Sequence, residues 1–177
     1  MIGYVAGLTL MVVAALQPAA ETWTGRVVGA ADGDTLRVRG EDDVVRKVRI
    51  FGIDAPEMAQ PFGPAARDHL AKATRDRDVQ VTELAEDDAG RTVARVRING
   101  NDLAIDMLAA GLAWYQRDDV EDQALEAEER RARARTTGLW IDKEPIAPWE
   151  WRAAEAVRRK ARKRPGPEPK SDTPPGR

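Results

Sequence analysis

Two carboxylates and a guanidinium crowd into one nine-residue stretch, Arg49-Ile-Phe-Gly-Ile-Asp-Ala-Pro-Glu57. It begins as an apolar-alternating strand and passes into a Gly/Pro-bounded loop, so the strand can fix the position while the loop aims Asp54 and Glu57. Oxygen donors beside an arginine suit a divalent cation and a water held against a phosphodiester. Two further blocks add the same residue types: Asp32-Gly-Asp-Thr35 supplies Asp34, and Gly90-Arg91 supplies a second arginine. Taken singly, each has a plainer explanation. Asp-Gly-Asp is more often a turn than a metal site, Glu57 can be a surface loop carboxylate, and arginines on strands often just pair with nearby acids. Only the set points to chemistry.

Composition narrows that chemistry. The 177-residue chain has no cysteine and one histidine, His69, which excludes disulfides and thiolate metal sites; any metal must sit on oxygen or on that imidazole. A helical setting makes His69 an ordinary partly exposed residue rather than a base. The net charge of −2 hides an asymmetry, because residues 152–177 hold nine Lys/Arg against three Asp/Glu and leave −8 on the remainder. A chain of that sign does not attract a polyanion in bulk, so it needs a cation and placed arginines to offset repulsion locally. The uncharged opening, Met1 to Ala20, has an apolar run closing on Gln17-Pro-Ala-Ala20. It is expected to be an export signal or, uncleaved, an N-terminal membrane anchor, which would place the protein outside the cell, in the periplasm or on the envelope.

The elements that must position these residues can be read in order. Strands are expected at 22–30, 34–39 and 44–51, and a hairpin centred between Glu41 and Asp42 would set Asp34 opposite Arg49. A helix follows from Ala65 to about Thr74, entered through Pro64, then strands 78–84 and 91–98. Asp102 opens a helix whose Leu103, Ile105, Met107 and Leu108 form an apolar face, with Gly111 placed to end it. Residues 120–135 form a longer helix, acidic early and basic late. Pro145 to Arg152 reads as an aromatic clasp against the strands. Residues 153–164 form a basic helical extension, and the Pro- and charge-rich segment from Pro165 is expected to be disordered. The expected organisation is a leader, 1–20, one domain, 21–152, and a basic tail, 153–177. Three strands, a helix, two strands and then helices suit a small barrel with packed helices and argue against a βαβ parallel sheet.

The blocks at 32–35, 49–57 and 90–91, with Pro61-Phe-Gly-Pro-Ala-Ala66 and Gly111-Leu-Ala113, resemble the staphylococcal nuclease (thermonuclease) family over roughly residues 22–152. The resemblance implies a mainly β fold with helices (α+β), a five-stranded OB-fold barrel with about three packed helices, and a calcium-dependent nuclease acting on DNA and RNA. It implies Asp34 and Asp54 as metal carboxylates, the Ala55 carbonyl as a further ligand where the family usually has threonine, and one Ca2+ ion, with Mg2+ or Mn2+ as alternatives. Arg49 and Arg91 would contact phosphate, and Glu57 would activate or orient the attacking water.

General chemistry is consistent with those roles. Calcium takes several oxygen ligands, and forked guanidiniums beside a cation stabilise the charge that gathers on a phosphodiester under attack. The chain departs from the family where a substrate-contacting tyrosine is replaced by Ala89, with Asp88 beside it. Its Trp114 and Tyr115 do not align with the family's base-stacking tyrosine, although they are the aromatic candidates to reach substrate; Trp149 and Trp151 read as packing residues. The expectation is an exported, monomeric endonuclease of DNA and RNA that would meet a membrane only through an uncleaved leader. The alternatives are a non-catalytic OB-fold module for single strands and, less well supported, a phosphoesterase of small nucleotides.

Overall fold

The computed structural model describes residues 20–117 and 120–163. The expected leader, apart from Ala20, and the segment from Pro165 lie outside the described residues. Three strands open the fold as a meander: β1 (Thr22–Ala30), β2 (Thr35–Gly40) and β3 (Val45–Ile50). After a two-residue strand, β4 (Ile53–Asp54), and helix α1 (Gly63–Thr74), strand β5 (Asp78–Glu86) pairs with β1 and β6 (Thr92–Ile98) pairs with β5. Strand β6 then meets β3 in parallel, Arg49 opposite Val93, and this pairing closes the five-stranded barrel. The architecture is an α+β OB-fold barrel carrying four α-helices among the described residues. Alternation of β-branched residues fills its interior: Val38, Val48, Ile50, Val79, Val81 and Val96 are all buried.

The β2–β3 register differs by one residue from the sequence expectation. Thr35, not Asp34, lies opposite Arg49. The cause is the loop, which centres on Asp42: Gly40 donates to the Val44 carbonyl, the Val44 N–H donates to Asp42 Oδ1, and Asp43 takes a left-handed φ of 59°. Asp34 therefore stands one step outside β2, although its carbonyl still accepts the Ile50 N–H at 2.8 Å. Its side chain is released from the ladder to face the loop after β4.

The helices pack against the barrel strands, α1 on β1 and the next helix on β6. Asp102, at the end of the short strand β7 (Asn101–Asp102), caps α2 (Leu103–Ala109) by accepting the Ala104 N–H at 2.9 Å, and Ile105 is only partly buried while Ala104 replaces it in the core. Gly111, at φ 62°, reverses the chain against residues 137–138, where a Cβ would lie 2.1 Å from the Thr137 carbonyl oxygen. A short strand, β8 (Trp114–Tyr115), pairs with β4, so Asp54 faces Trp114. Helix α3 (Gln123–Ala134) starts on the Asp122 cap, and α4 (Pro148–Lys163) runs unbroken through residue 152, where the domain was expected to end. Among the described residues no helix is long and apolar enough to cross a membrane.

Candidate active site

The turn before β2 sets Asp34. Its own N–H donates to Asp32 Oδ1 (3.0 Å), and Gly33 lets the turn pack tightly, since a Cβ there would come within 2.7 Å of the Ala66 and Ala55 methyls. The Asp34 carboxylate accepts the Thr35 hydroxyl at Oδ1 (2.8 Å) and the Ala55 N–H at Oδ2 (3.2 Å). It is 6% exposed and Asp54 is 2% exposed. Arg49, leaving the end of β3, spans both carboxylates: one nitrogen, Nη2, lies 3.6 Å from Asp34 Oδ2 and 3.3 Å from Asp54 Oδ1. Among the described residues its Nε is buried with no hydrogen-bond partner. A donor left unpaired in a buried position costs about 1–3 kcal/mol until an acceptor arrives.

Arg91 enters from the turn before β6, which the parallel β3–β6 pairing brings to the same rim. Asp87 holds it, accepting Arg91 Nε at 2.7 Å and its backbone N–H at 3.0 Å. Burial works against the Asp87 charge, but these hydrogen bonds, with one from the Ala89 N–H, outweigh it and keep the carboxyl below its usual range. Arg91 Nη1 also reaches the Thr35 hydroxyl at 3.4 Å, which links it to Asp34.

Glu57 sits on a loop pinned from within. Its N–H donates to the Gln60 side chain (3.1 Å), its carbonyl accepts the Gln60 N–H (2.8 Å), and Gln60 Nε2 donates in turn to the Ile146 carbonyl (2.6 Å). Gly63 permits the closure, since a Cβ there would lie 1.9 Å from the Glu57 carbonyl oxygen. Gln60 is buried, and sequence reasoning missed it.

A second residue escaped the sequence analysis. Arg152, on the first turns of α4, donates to both oxygens of Asp54 (3.2 and 2.7 Å) and to Glu57 Oε1 (2.8 Å). The Asp54 bonds chiefly, and then Glu57, hold its guanidinium more firmly protonated than a free arginine, against the cost of burial. Magnitudes decide which contact anchors it. The Arg152–Glu57 pair is 47% and 41% exposed, worth at most about 1 kcal/mol, whereas charged hydrogen bonds to a buried carboxylate contribute about 1.5–3 kcal/mol. Asp54 is the anchor.

Asp34, Arg49, Asp54, Ala55, Glu57 and Arg91 all line one cleft of about 450 Å3, joined by Gln116 and Arg152. Asp34, Asp54 and the Ala55 carbonyl are the groups that could hold a metal. Among the described residues no third Asp, Glu or His joins the two aspartates as a preformed cluster, so the rest of a cation's shell would come from water and substrate oxygen. The donor set fits a hard divalent cation, being oxygen only and already gathered around one positive nitrogen. Burial pushes the Asp34 carboxyl up and Arg49 recovers only part of that, so a bound cation would help keep it ionised. Against this, both Asp54 oxygens are engaged by guanidiniums, and a metal there must displace or share with Arg152.

The aromatic candidates separate. Tyr115 is buried, its hydroxyl donating to the Val120 carbonyl and accepting the Asp122 N–H, so it holds the approach to α3. Trp114 packs edge-on against Trp140 (4.6 Å) and Trp149 (5.5 Å) under the Arg133 guanidinium, on the wall of a neighbouring cleft. His69 stands away from the cleft, bonded to Asp106 at 2.8 Å.

The model of the staphylococcal nuclease homologue family matches residues 47–142. The chain belongs to the staphylococcal nuclease family. It is 37% identical over 148 residues to the micrococcal nuclease of Shigella flexneri, covering 77% of this chain and 84% of that protein. It is 33% identical over 134 residues to an uncharacterized endonuclease of Haemophilus influenzae, covering 76% and 75%. A staphylococcal-like nuclease of Arabidopsis thaliana is 37% identical over 106 residues, and there the chain spans only 33% of the relative's length. Family membership supports a nuclease function. The matched segment contains Arg49, Asp54, Ala55, Glu57 and Arg91, and it stops short of Asp34 on one side and Arg152 on the other.

Proposed function

We propose that this protein is a calcium-dependent endonuclease that hydrolyses phosphodiester bonds of DNA and RNA by attack of water. The observation that carries the reading is the convergence of two buried aspartates, two arginines and a glutamate on one cleft. A calcium ion on Asp34, Asp54 and the Ala55 carbonyl would polarise the phosphate and ease deprotonation of a neighbouring water. Arg49 and Arg91 bind the scissile phosphate from the barrel rim, where their guanidiniums stabilise charge as it develops on the equatorial oxygens. Glu57, held by Gln60, takes the proton from the attacking water. Incubating plasmid and RNA with calcium, magnesium, manganese or EDTA tests the reading: cutting of both substrates that calcium supports and EDTA abolishes is expected, and no cutting with any cation refutes it. A non-catalytic single-strand-binding module is the second reading, favoured by Arg152 lying on the carboxylates that the metal and the water need. Strand binding without cutting would identify it.

A further inference from the structure

We propose that the cationic face of α4 is a second phosphate-binding track, which leads the polynucleotide strand away from the reaction cleft with Arg152 at its head. This rests on the nuclease reading and adds where the rest of the substrate lies. Alongside the reaction cleft runs a second groove of about 740 Å3, and the two share Glu57 and Arg152. A strand whose scissile phosphate sits between Arg49 and Arg91 meets this groove at the Glu57–Arg152 pair, the two residues that the cleft and the groove have in common. Arg152, Arg159 and Arg162 recur at spacings of seven and three, which puts them on one face of α4 and spreads them over about 15 Å of helix. Arg159 and Arg162 are exposed, and among the described residues neither is paired with a carboxylate; Arg158 differs, being tied to Glu155 at 2.6 Å. Two uncommitted guanidiniums in a row are what a phosphate backbone needs. Met58, 39% exposed, and Trp151 add apolar surface against which a base or sugar can rest.

The far rim argues for the same direction. There the last residue of β5 and the turn after it carry Glu86 and Asp88, with Asp87 tied to Arg91 and Ala89 at the cleft edge, and the charges of Glu86 and Asp88 repel a polyanion. A flat anionic membrane is the other partner such a basic helix can attract, but this face is one wall of a groove that adjoins the reaction cleft at Glu57 and Arg152, a shape that suits a strand.

The test compares the full-length protein with the double variant Arg159→Ala/Arg162→Ala, whose substitutions favour helix and leave no buried partner unpaired. Expected is a fall of about five- to tenfold in the ratio of kcat/KM on a long single strand to kcat/KM on a dinucleotide, with Arg159→Lys/Arg162→Lys retaining most of it. Strand affinity in EDTA, read by fluorescence anisotropy, should lose about 1.4 from its slope against log salt for the two phosphate contacts removed. An unchanged ratio and slope overturn the track. Binding to phosphatidylserine vesicles that the variant loses while strand affinity persists overturns it in favour of a membrane surface. If the wild-type protein cuts neither substrate, the nuclease reading fails, and the anisotropy slope still decides the track.

Discussion

The two walls of the cleft are built on different principles. The inner wall, Asp34, Arg49 and Asp54, stands on strands and their tight turns, with side chains 9%, 15% and 2% exposed. The outer wall, Glu57 and Arg152, comes from a loop and a helix and is nearly half exposed. Charges in the inner wall act through a low dielectric and are expensive to leave unpaired, which suits them to the proposed roles of binding a cation and stabilising a developing charge. Outer-wall charges are screened and movable, which suits proton transfer and admission of substrate. The same charge substitution should therefore cost far more inside than outside.

The largest effect is expected at Asp54→Asn. On the proposed function, losing this carboxylate would remove a metal ligand; it leaves Arg49 without its nearest charge, so calcium-supported cleavage should drop about 10³-fold or more and calcium affinity should fall in calorimetric titration. If calcium affinity is retained, the inner wall is not the metal site. Next comes Glu57→Gln on the outer wall, expected to lower kcat about 10²–10³-fold while calcium affinity stays close to wild type. Equal losses in both properties would erase the distinction between the walls.

Arg152→Ala probes the point where they meet. Removing a guanidinium bonded to both Asp54 oxygens relieves competition for the metal, so calcium should bind about three- to tenfold more tightly. Turnover should nevertheless fall about tenfold, because Glu57 loses the donor that orients it and the strand loses a contact. Opposite movement of affinity and rate is the signature. Weaker calcium binding would instead make Arg152 an organiser of the ligands.

How far the site was legible follows the same division. The inner wall could be read because its partners are close in sequence or joined by one hairpin, and the single-residue slip at Asp34 came from a turn that adopts a left-handed residue at Asp43. The barrel was legible in strand order, but the parallel closure of β3 on β6 was not, since local alternation says nothing about which edges meet. Gln60 and Arg152 went unread for a similar reason. Their partners, the Ile146 carbonyl and Asp54, lie 86 and 98 residues away, and only the path of the chain through 138–148 brings them together. The charge on Arg152 was visible within a basic tail; the start of α4 at Pro148, which aims it into the cleft, was not.

The smallest effect belongs outside the cleft and calibrates the others. Asp122 caps α3 and pairs with Arg95 of β6, joining the helical end to the barrel. The Arg95 hydrogen bond, helped by the capped N–H groups and opposed by burial, holds its carboxyl below the usual range. Asn caps nearly as well as Asp, so Asp122→Asn isolates the charge and should cost about 1 kcal/mol at neutral pH by urea unfolding. Because the folded carboxyl is the stronger acid, its stabilisation is complete above the ordinary carboxylate pKa of about 3.9 and disappears as pH falls through the lower folded value. The gap between wild type and variant should thus stay level from neutral pH to about 5 and close on further acidification. A gap that persists in acid would mean that Asn disturbs the cap itself, and that even a largely shielded ion pair between barrel and helices adds little beyond geometry.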